Sequence, residues 1–368
     1  MKKKILFLTP LPPPVYGAAI SSELCLNSEL LNKEFEIRHI QLNYSKEFED
    51  IGRFNFRKII GFFKTNLKII KNLISFKPDL IYFVLAPKDF GFFRDCFFVF
   101  NCKLFRKRIL FHLRAKGIQK EIKNPLKYFL YKLIFRNTKS IILDESQYSD
   151  ISKLVKRQNV FVLPNAIQNK INNKEFKQII KKRKKGKSSN ILFLSNMSKT
   201  KGLFLLLEAC KILKKQKINF KCNFVGAWKD NKTKIQFENY VSKYELKDIV
   251  KYLGFKSGKE KKDILIDSDI FVFPTFYESF GLVILEAMQY GLPVVANGIS
   301  AIPSIIKQNE TGFALEQNTP EEFAKHLKIL LDKKADSIKM GEKARKRFLQ
   351  NYCFEKYEPK LASIFKEY

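Results

Sequence analysis

The chain opens the same way twice. The tetrapeptide ILFL stands at 5–8 and again at 191–194; a Pro/Gly loop and the helical SSELCLNSELLN follow the first copy, and a Ser/Lys/Gly loop and FLLLEACKILKKQ follow the second. A strand, a loop and a helix begun again halfway along mark the starts of two α/β units. Further apolar runs at 79–87, 108–114, 140–145, 159–165, 218–226, 269–275 and 292–297 alternate with helical segments. Strands that are apolar at every position, rather than every second one, are covered on both faces. Each half therefore reads as a Rossmann-like parallel sheet, whose ligands lie at the carboxyl ends of the strands. A length of 368 residues suits two cores better than one. The boundary is expected in the basic stretch KKRKKGK at 181–187, read as a linker, which divides the chain into 1–187 and 188–350 with a closing segment at 351–368.

Charge is spread unevenly over these halves. Of the formal +33, residues 1–187 hold 39 Lys and Arg against 15 Asp and Glu. Such an excess favours an anionic partner, either nucleic acid or a membrane surface. Two segments point to the membrane: 55–77 spaces Ile, Leu and Phe with Lys as a basic amphipathic helix does, and 89–108 is dense in Phe and ends in basic residues. The same segments would also serve as core-facing helices with a solvated side. No helix-turn-helix or zinc-finger spacing accompanies the charge, so no nucleic acid partner is expected, and a basic nucleic-acid-binding protein is the reading from another class. The six scattered cysteines form neither a CxxC pair nor a metal-ligand cluster, which fits a reducing, cytoplasmic compartment. The N-terminal ILFL is cut off by prolines before a signal peptide could form. Segments 5–22 and 287–306 are uncharged but carry Pro and Gly, so no transmembrane helix is expected.

The most informative stretch is PTFYESFGLVILEAMQYGLPVVA at 274–296. A strand end, a turn carrying Glu278, an N-cap at Ser279 and a helix from about Phe280 would leave backbone N–H groups near Phe280, Gly281 and Leu282 free for an anion such as a diphosphate. Glu278 and Glu286, with seven residues between them including Phe280-Gly281, resemble the signature of the family 4 glycosyltransferases, which are retaining enzymes of the GT-B fold. The surrounding DSDIFVFPT, GLPVVA and TGFAL are similar as well. The resemblance implies two Rossmann-like domains with parallel sheets facing a central cleft: an acceptor-side first domain, a second domain binding a nucleotide-diphosphate sugar, and a C-terminal helix returning to the first. It also implies that Glu278 contacts the donor sugar and Glu286 the ribose.

Other matches extend this reading. FLSNMSKTKG at 193–202 resembles the family's phosphate loop, with Lys201 in the lysine position and Asn196 where a second cation is common. PPPVYGAAI at 12–20 resembles its first glycine-rich loop, with Gly17 kept and Ala18 in place of a second glycine. RILFHLRAKGI at 108–118 places His112 as a catalytic-region histidine, with Arg114 and Lys116 expected to point an electropositive loop toward the ligands. Asp267-Ser268-Asp269 looks like the metal-binding DxD of another glycosyltransferase fold, but it stands where a helix turns into a strand and reads as turn chemistry. The expected activity is thus metal-free, cofactor-free transfer of a sugar to a lipid-linked or surface-polysaccharide glycan, in the cytoplasm and at the inner face of the membrane. A GT-B-shaped sugar-nucleotide epimerase or hydrolase is the nearest enzymatic alternative.

Overall fold

Ile5, Leu6, Phe7 and Leu8 have no exposed surface, because their strand has a partner on each side and helices over both faces. The computed structural model describes residues 2–42, 56–186 and 189–368. It divides into two compact units, Met1–Ala166 with Phe354–Tyr368, and Ile167–Cys353. In the first unit the elements are β1 (Lys3–Thr9), α1 (Gly17–Leu26), α2 (Glu29–Glu34), β2 (Phe35–Gln41), α3 (Phe56–Ser75), β3 (Leu80–Val84), α4 (Asp89–Leu104), β4 (Arg108–Leu113), α5 (Ile118–Glu121), α6 (Pro125–Phe135), β5 (Lys139–Ile142) and β6 (Val160–Val162). All six strands are parallel, in the order β2-β1-β3-β4-β5-β6. Leu6, Leu8, Ile81 and Phe83 pack with α3, α4 and α6, while Ile5, Phe7, Leu80 and Tyr82 pack with α1 and the last helix of the chain. That is the two-period of a strand dividing its side chains between two cores.

The second unit contains α7 (Asn173–Lys185), β7 (Ser189–Leu194), α8 (Leu203–Lys215), β8 (Phe220–Val225), α9 (Asn231–Lys243), β9 (Val250–Tyr252), α10 (Gly258–Asp267), β10 (Ile270–Phe273), α11 (Leu282–Gln289), β11 (Val294–Asn297), α12 (Ile302–Ile305), β12 (Gly312–Leu315), α13 (Pro320–Asp332) and α14 (Lys334–Asn351). Its sheet is again six parallel strands, β12-β11-β10-β7-β8-β9. The final helix, α15 (Phe354–Glu367), belongs to the first unit, where Phe365 packs on Phe7, Phe35 and Tyr82.

The repeated ILFL thus lies in β1 and β7, each the strand from which its sheet grows in both directions. The chain winds from β7 through β8 to β9 and then returns to the other side of β7 with β10; in the first unit β2 and β3 flank β1 in the same way. A sheet wound in two directions leaves an open crevice at the carboxyl ends of its reversal strands, where the flanking helices diverge. This topology, not any single motif, decides where a ligand can enter.

The expected linker is corrected. Residues 181–185 are the last turns of α7, and the buried Arg183 donates to the carbonyls of Tyr290 and Gly291 at 2.8 Å and of Leu265 at 3.1 Å; Lys187 lies outside the described residues. Burial holds the Arg183 guanidinium down at about 10. The chain instead crosses between the units at 166–167 and again at 353–354. Strands β2, β9 and β12 were not expected. β2 and β9 are interrupted by charged residues such as Glu36, Arg38 and Lys251, and β12 is only four residues long, so none presents a long continuous apolar run.

Candidate active site

The two loops at the reversal of the second sheet are fastened together before any ligand is considered. After β7 the chain passes the exposed Asn196 and a short 3-10 turn, Lys199–Lys201, and enters α8 through Gly202. Gly202 has φ +78°, and a Cβ there would stand 1.9 Å from the carbonyl oxygen of Pro274, at the end of β10. Only glycine combines that backbone conformation with so close an approach. Phe276 donates its N–H to the Thr200 carbonyl at 2.9 Å, and the Thr275 hydroxyl reaches the same carbonyl at 3.4 Å. The phosphate-loop candidate and the glutamate loop are therefore one structure.

Within it, Lys201 Nζ donates to Glu278 Oε2 at 2.8 Å and to the Tyr277 carbonyl at 3.2 Å, and it lies 5.5 Å from the centre of the Phe273 ring. Both side chains are about four-fifths covered, so the ion pair is screened less than one at the surface. The other Glu278 oxygen accepts from the Ser279 N–H at 3.0 Å. Ser279 is not the N-cap: the helix starts at Leu282, and Gly281, at φ +94°, occupies the capping position. Phe280 is buried and turns its ring toward Tyr352. The helix starts two residues later than expected because Gly281 can adopt a left-handed conformation that a serine would resist.

Glu286 lies one turn into α11, half-buried, with Lys261 of α10 at 2.7 Å. Lys261 was not singled out from the sequence; among Lys256, Lys259, Lys261 and Lys262 no local signal distinguishes it. Asp267 pairs with Lys182, and Asp269 accepts the Asn190 N–H at 2.8 Å. These carboxylates tie α7 and β7 to the start of β10. Among the described residues no group of three or more His, Cys, Asp or Glu is placed to hold a metal.

In the first unit Gly17 and Ala18 open α1, just beyond the β1 end of the reversal, both partly exposed. The expected electropositive loop is corrected. His112 is fully buried, its Nδ1 sharing a 2.6 Å hydrogen bond with the Tyr82 hydroxyl, while its Nε2 is enclosed without a partner. Burial and the neighbouring Arg114 charge hold the imidazole well below its usual range. Arg114 also points inward, donating to Asn165 Oδ1, the Tyr357 hydroxyl at 3.2 Å and the Tyr82 hydroxyl at 3.3 Å. It joins β4 to α15 and to the residues just before the chain leaves the unit. The following loop is held by Asp150, whose carboxylate accepts the N–H groups of Gly117, Ile118 and Gln119 at 2.9, 3.1 and 2.9 Å.

The described part of the segment at 55–77 is α3, and 89–108 supplies α4. Both are divided helices: Ile69 and Leu73 of α3 and Phe92, Cys96 and Phe98 of α4 are core. Away from the core, Phe63 and Leu67 of α3, Phe90, Phe93 and Phe97 of α4, and Leu126 and Phe129 of α6 are exposed. Phe62 joins the first two helices through ring contacts with Phe63 and Phe97 at 5.3 Å, and Lys127 of α6 lies 5.9 Å from the Phe93 ring. Residues 88–136 hold thirteen Lys and Arg against three Asp and Glu. No helix among the described residues is long and apolar enough to cross a membrane.

Residues 174–347, nearly the whole second unit, match the family model described as Glycosyl transferases group 1. The chain is 26% identical over 183 residues to the putative colanic acid biosynthesis glycosyltransferase WcaL of Escherichia coli, covering 47% of this chain and 44% of WcaL. It is 32% identical over 161 residues to the amylovoran biosynthesis glycosyltransferase AmsK of Erwinia amylovora, covering 42% and 39%. The chain thus spans less than half the length of these two relatives. Among solved structures, Anabaena HepE in complex with UDP and glucose superposes over all of both chains with a TM-score of 0.70 at 17% identity. At that identity the likeness is one of fold: paired Rossmann-like units of the GT-B kind.

Proposed function

We propose that this chain is a retaining glycosyltransferase that moves a sugar from a nucleoside-diphosphate donor to a lipid-linked or surface-polysaccharide glycan without a metal. The observation that carries the reading is the 2.8 Å contact between Lys201 and Glu278, which joins the two loops at the reversal of the second sheet. A cation, a carboxylate and the N-termini of α8 and α11 at one crevice suit a ligand with a diphosphate at one end and hydroxyls at the other. The matches to WcaL and AmsK, named for colanic acid and amylovoran biosynthesis, support the polysaccharide side of the proposal.

In the reaction the bond from the anomeric carbon to the β-phosphate oxygen breaks and its electron pair leaves on the diphosphate. An acceptor hydroxyl forms the new bond and its proton passes to the departing phosphate oxygen, with configuration retained as the family resemblance implies. Lys201 offsets the charge that grows on the leaving phosphate, a role in which one well-placed donor is worth about 10²–10³ in rate. Asn196 and the helix N-termini add uncharged donors. Glu278 takes hydroxyls of the sugar and Glu286 those of the ribose, since a carboxylate accepts several hydrogen bonds at once. Gly17 and Ala18, with no bulky side chain, leave room for the acceptor at the first sheet's reversal.

The exposed Phe and Leu residues of α3, α4 and α6, set among lysines and arginines, support an anionic bilayer as the surface on which the first unit meets its acceptor. The enzyme would then be a cytoplasmic protein peripheral to the inner leaflet.

The test is release of nucleoside diphosphate from a panel of nucleotide sugars with an acceptor glycan extract. Lys201→Ala and Glu278→Ala should lower kcat about 10²-fold, and Glu286→Ala should chiefly raise the donor KM. Activity should survive excess chelator and Asp267→Ala. Unaltered kinetics in all three site variants would sink the assignment, and activity lost to EDTA but restored by manganese or magnesium would reverse the metal-free reading.

A further inference from the structure

We propose that Lys261 is a positioning residue that sets the carboxylate of Glu286 for the ribose of the nucleotide; this rests on the reading of Glu286 given above. Lys261 lies in the first turn of α10 and Glu286 in the middle of α11, so the pair joins the helix that precedes β10 to the helix that follows it. Its Nζ is 2.7 Å from both carboxylate oxygens and hydrogen-bonds Oε1, while Oε2 is enclosed and takes no hydrogen bond. Among the described residues, Lys261 is the only hydrogen-bond donor to this carboxylate. Of the neighbouring lysines, Lys262 pairs with Glu175 at 3.0 Å and Lys256 with Glu260 at 2.6 Å.

A glutamate side chain has three free torsions, and a ligand that must fix them gives up affinity. Lys261 fixes them beforehand with one hydrogen bond to Oε1, which keeps further lone-pair capacity for a ribose hydroxyl. With both side chains about three-quarters covered, the pair is better shielded from water than one on the rim. The arrangement parallels Lys201 and Glu278: each glutamate of the motif is held by a lysine from a different loop or helix. The parallel ends at the chemistry, because Lys201 faces the leaving diphosphate and Lys261 acts only through Glu286.

The consequence is selectivity for ribose over deoxyribose that depends on a residue at no motif position. The test takes wild type, Lys261→Met and Lys261→Arg. Calorimetric titration with UDP, GDP, ADP and CDP identifies the tightest ligand, which is then compared with its 2′-deoxy counterpart. Lys261→Met should weaken the ribonucleotide about 10-fold, the scale of one hydrogen bond to a charged group. The deoxy form should change much less, so that discrimination shrinks; the donor KM should rise more than kcat falls; and Lys261→Arg should restore most of the affinity. Equal losses for the ribo and deoxy ligands, an unchanged ribonucleotide affinity or a tighter one in Lys261→Met would each overturn the proposal. Failure of all four diphosphates to bind wild type would instead overturn the donor-site reading, and this inference with it.

Discussion

Gly202 and Gly254 share the same positive φ and differ in their surroundings, which makes them a matched pair for asking what holds the candidate site together. Their φ angles are +78° and +77°; a Cβ on Gly202 would fall 1.9 Å from Pro274 O, whereas one on Gly254 would meet nothing within 4 Å. Alanine at Gly254 should therefore cost only the left-handed backbone penalty, about 1 kcal/mol. At Gly202 the same penalty is joined by an overlap with backbone that cannot rotate away, about 1–3 kcal/mol. Separating the loops to relieve it would also weaken the Phe276 N–H bond to Thr200, worth about 1 kcal/mol. The totals are about 4 kcal/mol against about 1, or near 10 °C against 3 °C in Tm for a domain of this size. Trp228 is the only tryptophan and packs on Phe237 and Tyr252 inside the second unit, so its fluorescence during urea unfolding reports that unit alone. Gly202→Ala should also lose turnover through displacement of Lys201, while Gly254→Ala keeps Lys201 in place. Equal destabilisation by the two substitutions would refute the argument that this close approach fastens the loops.

Two further predictions concern the first unit. The His112 imidazole is held well below 6.5 by burial and by Arg114, so between that folded value and 6.5 the unfolded chain binds the extra proton. Stability should then fall as pH drops below about 6.5, by up to 1.4 kcal/mol per pH unit from this group; calorimetry should give His112→Asn a shallower slope than wild type, and parallel slopes would contradict it. The protein should sediment with anionic vesicles at low salt, less at high salt and little with neutral vesicles, and Phe93→Ser with Phe129→Ser should weaken the binding. Equal failure with all three preparations would leave an acceptor met away from any bilayer.

Much of the architecture was legible in the sequence because it depends on local pattern. Continuous apolar runs alternating with helical segments read as strands covered on both faces, and a second ILFL followed by a loop and a helix reads as the restart of such a sheet. Glu278 and Glu286 were legible because their spacing belongs to one loop and the first turns of one helix. What failed was anything that depended on where distant residues meet. The basic run at 181–187 looked solvated, yet Arg183 is buried against carbonyls more than eighty residues away. Arg114 looked like a loop cation beside a ligand, yet Asn165, Tyr357 and Tyr82 surround it. A lysine or arginine carries no local mark of whether its charge will meet water, a carboxylate or a carbonyl; that is decided when elements far apart in the chain pack together. The same holds for Lys261, and for Gly202, whose left-handed turn a sequence can suggest but whose contact with Pro274 only the folded sheet creates. The sequence determined the apolar strands at the middle of each sheet and the motif residues Glu278, Glu286 and Lys201. The tertiary structure decided the order of those strands, and so the crevice, because parallel pairing is a long-range choice that local periodicity does not encode.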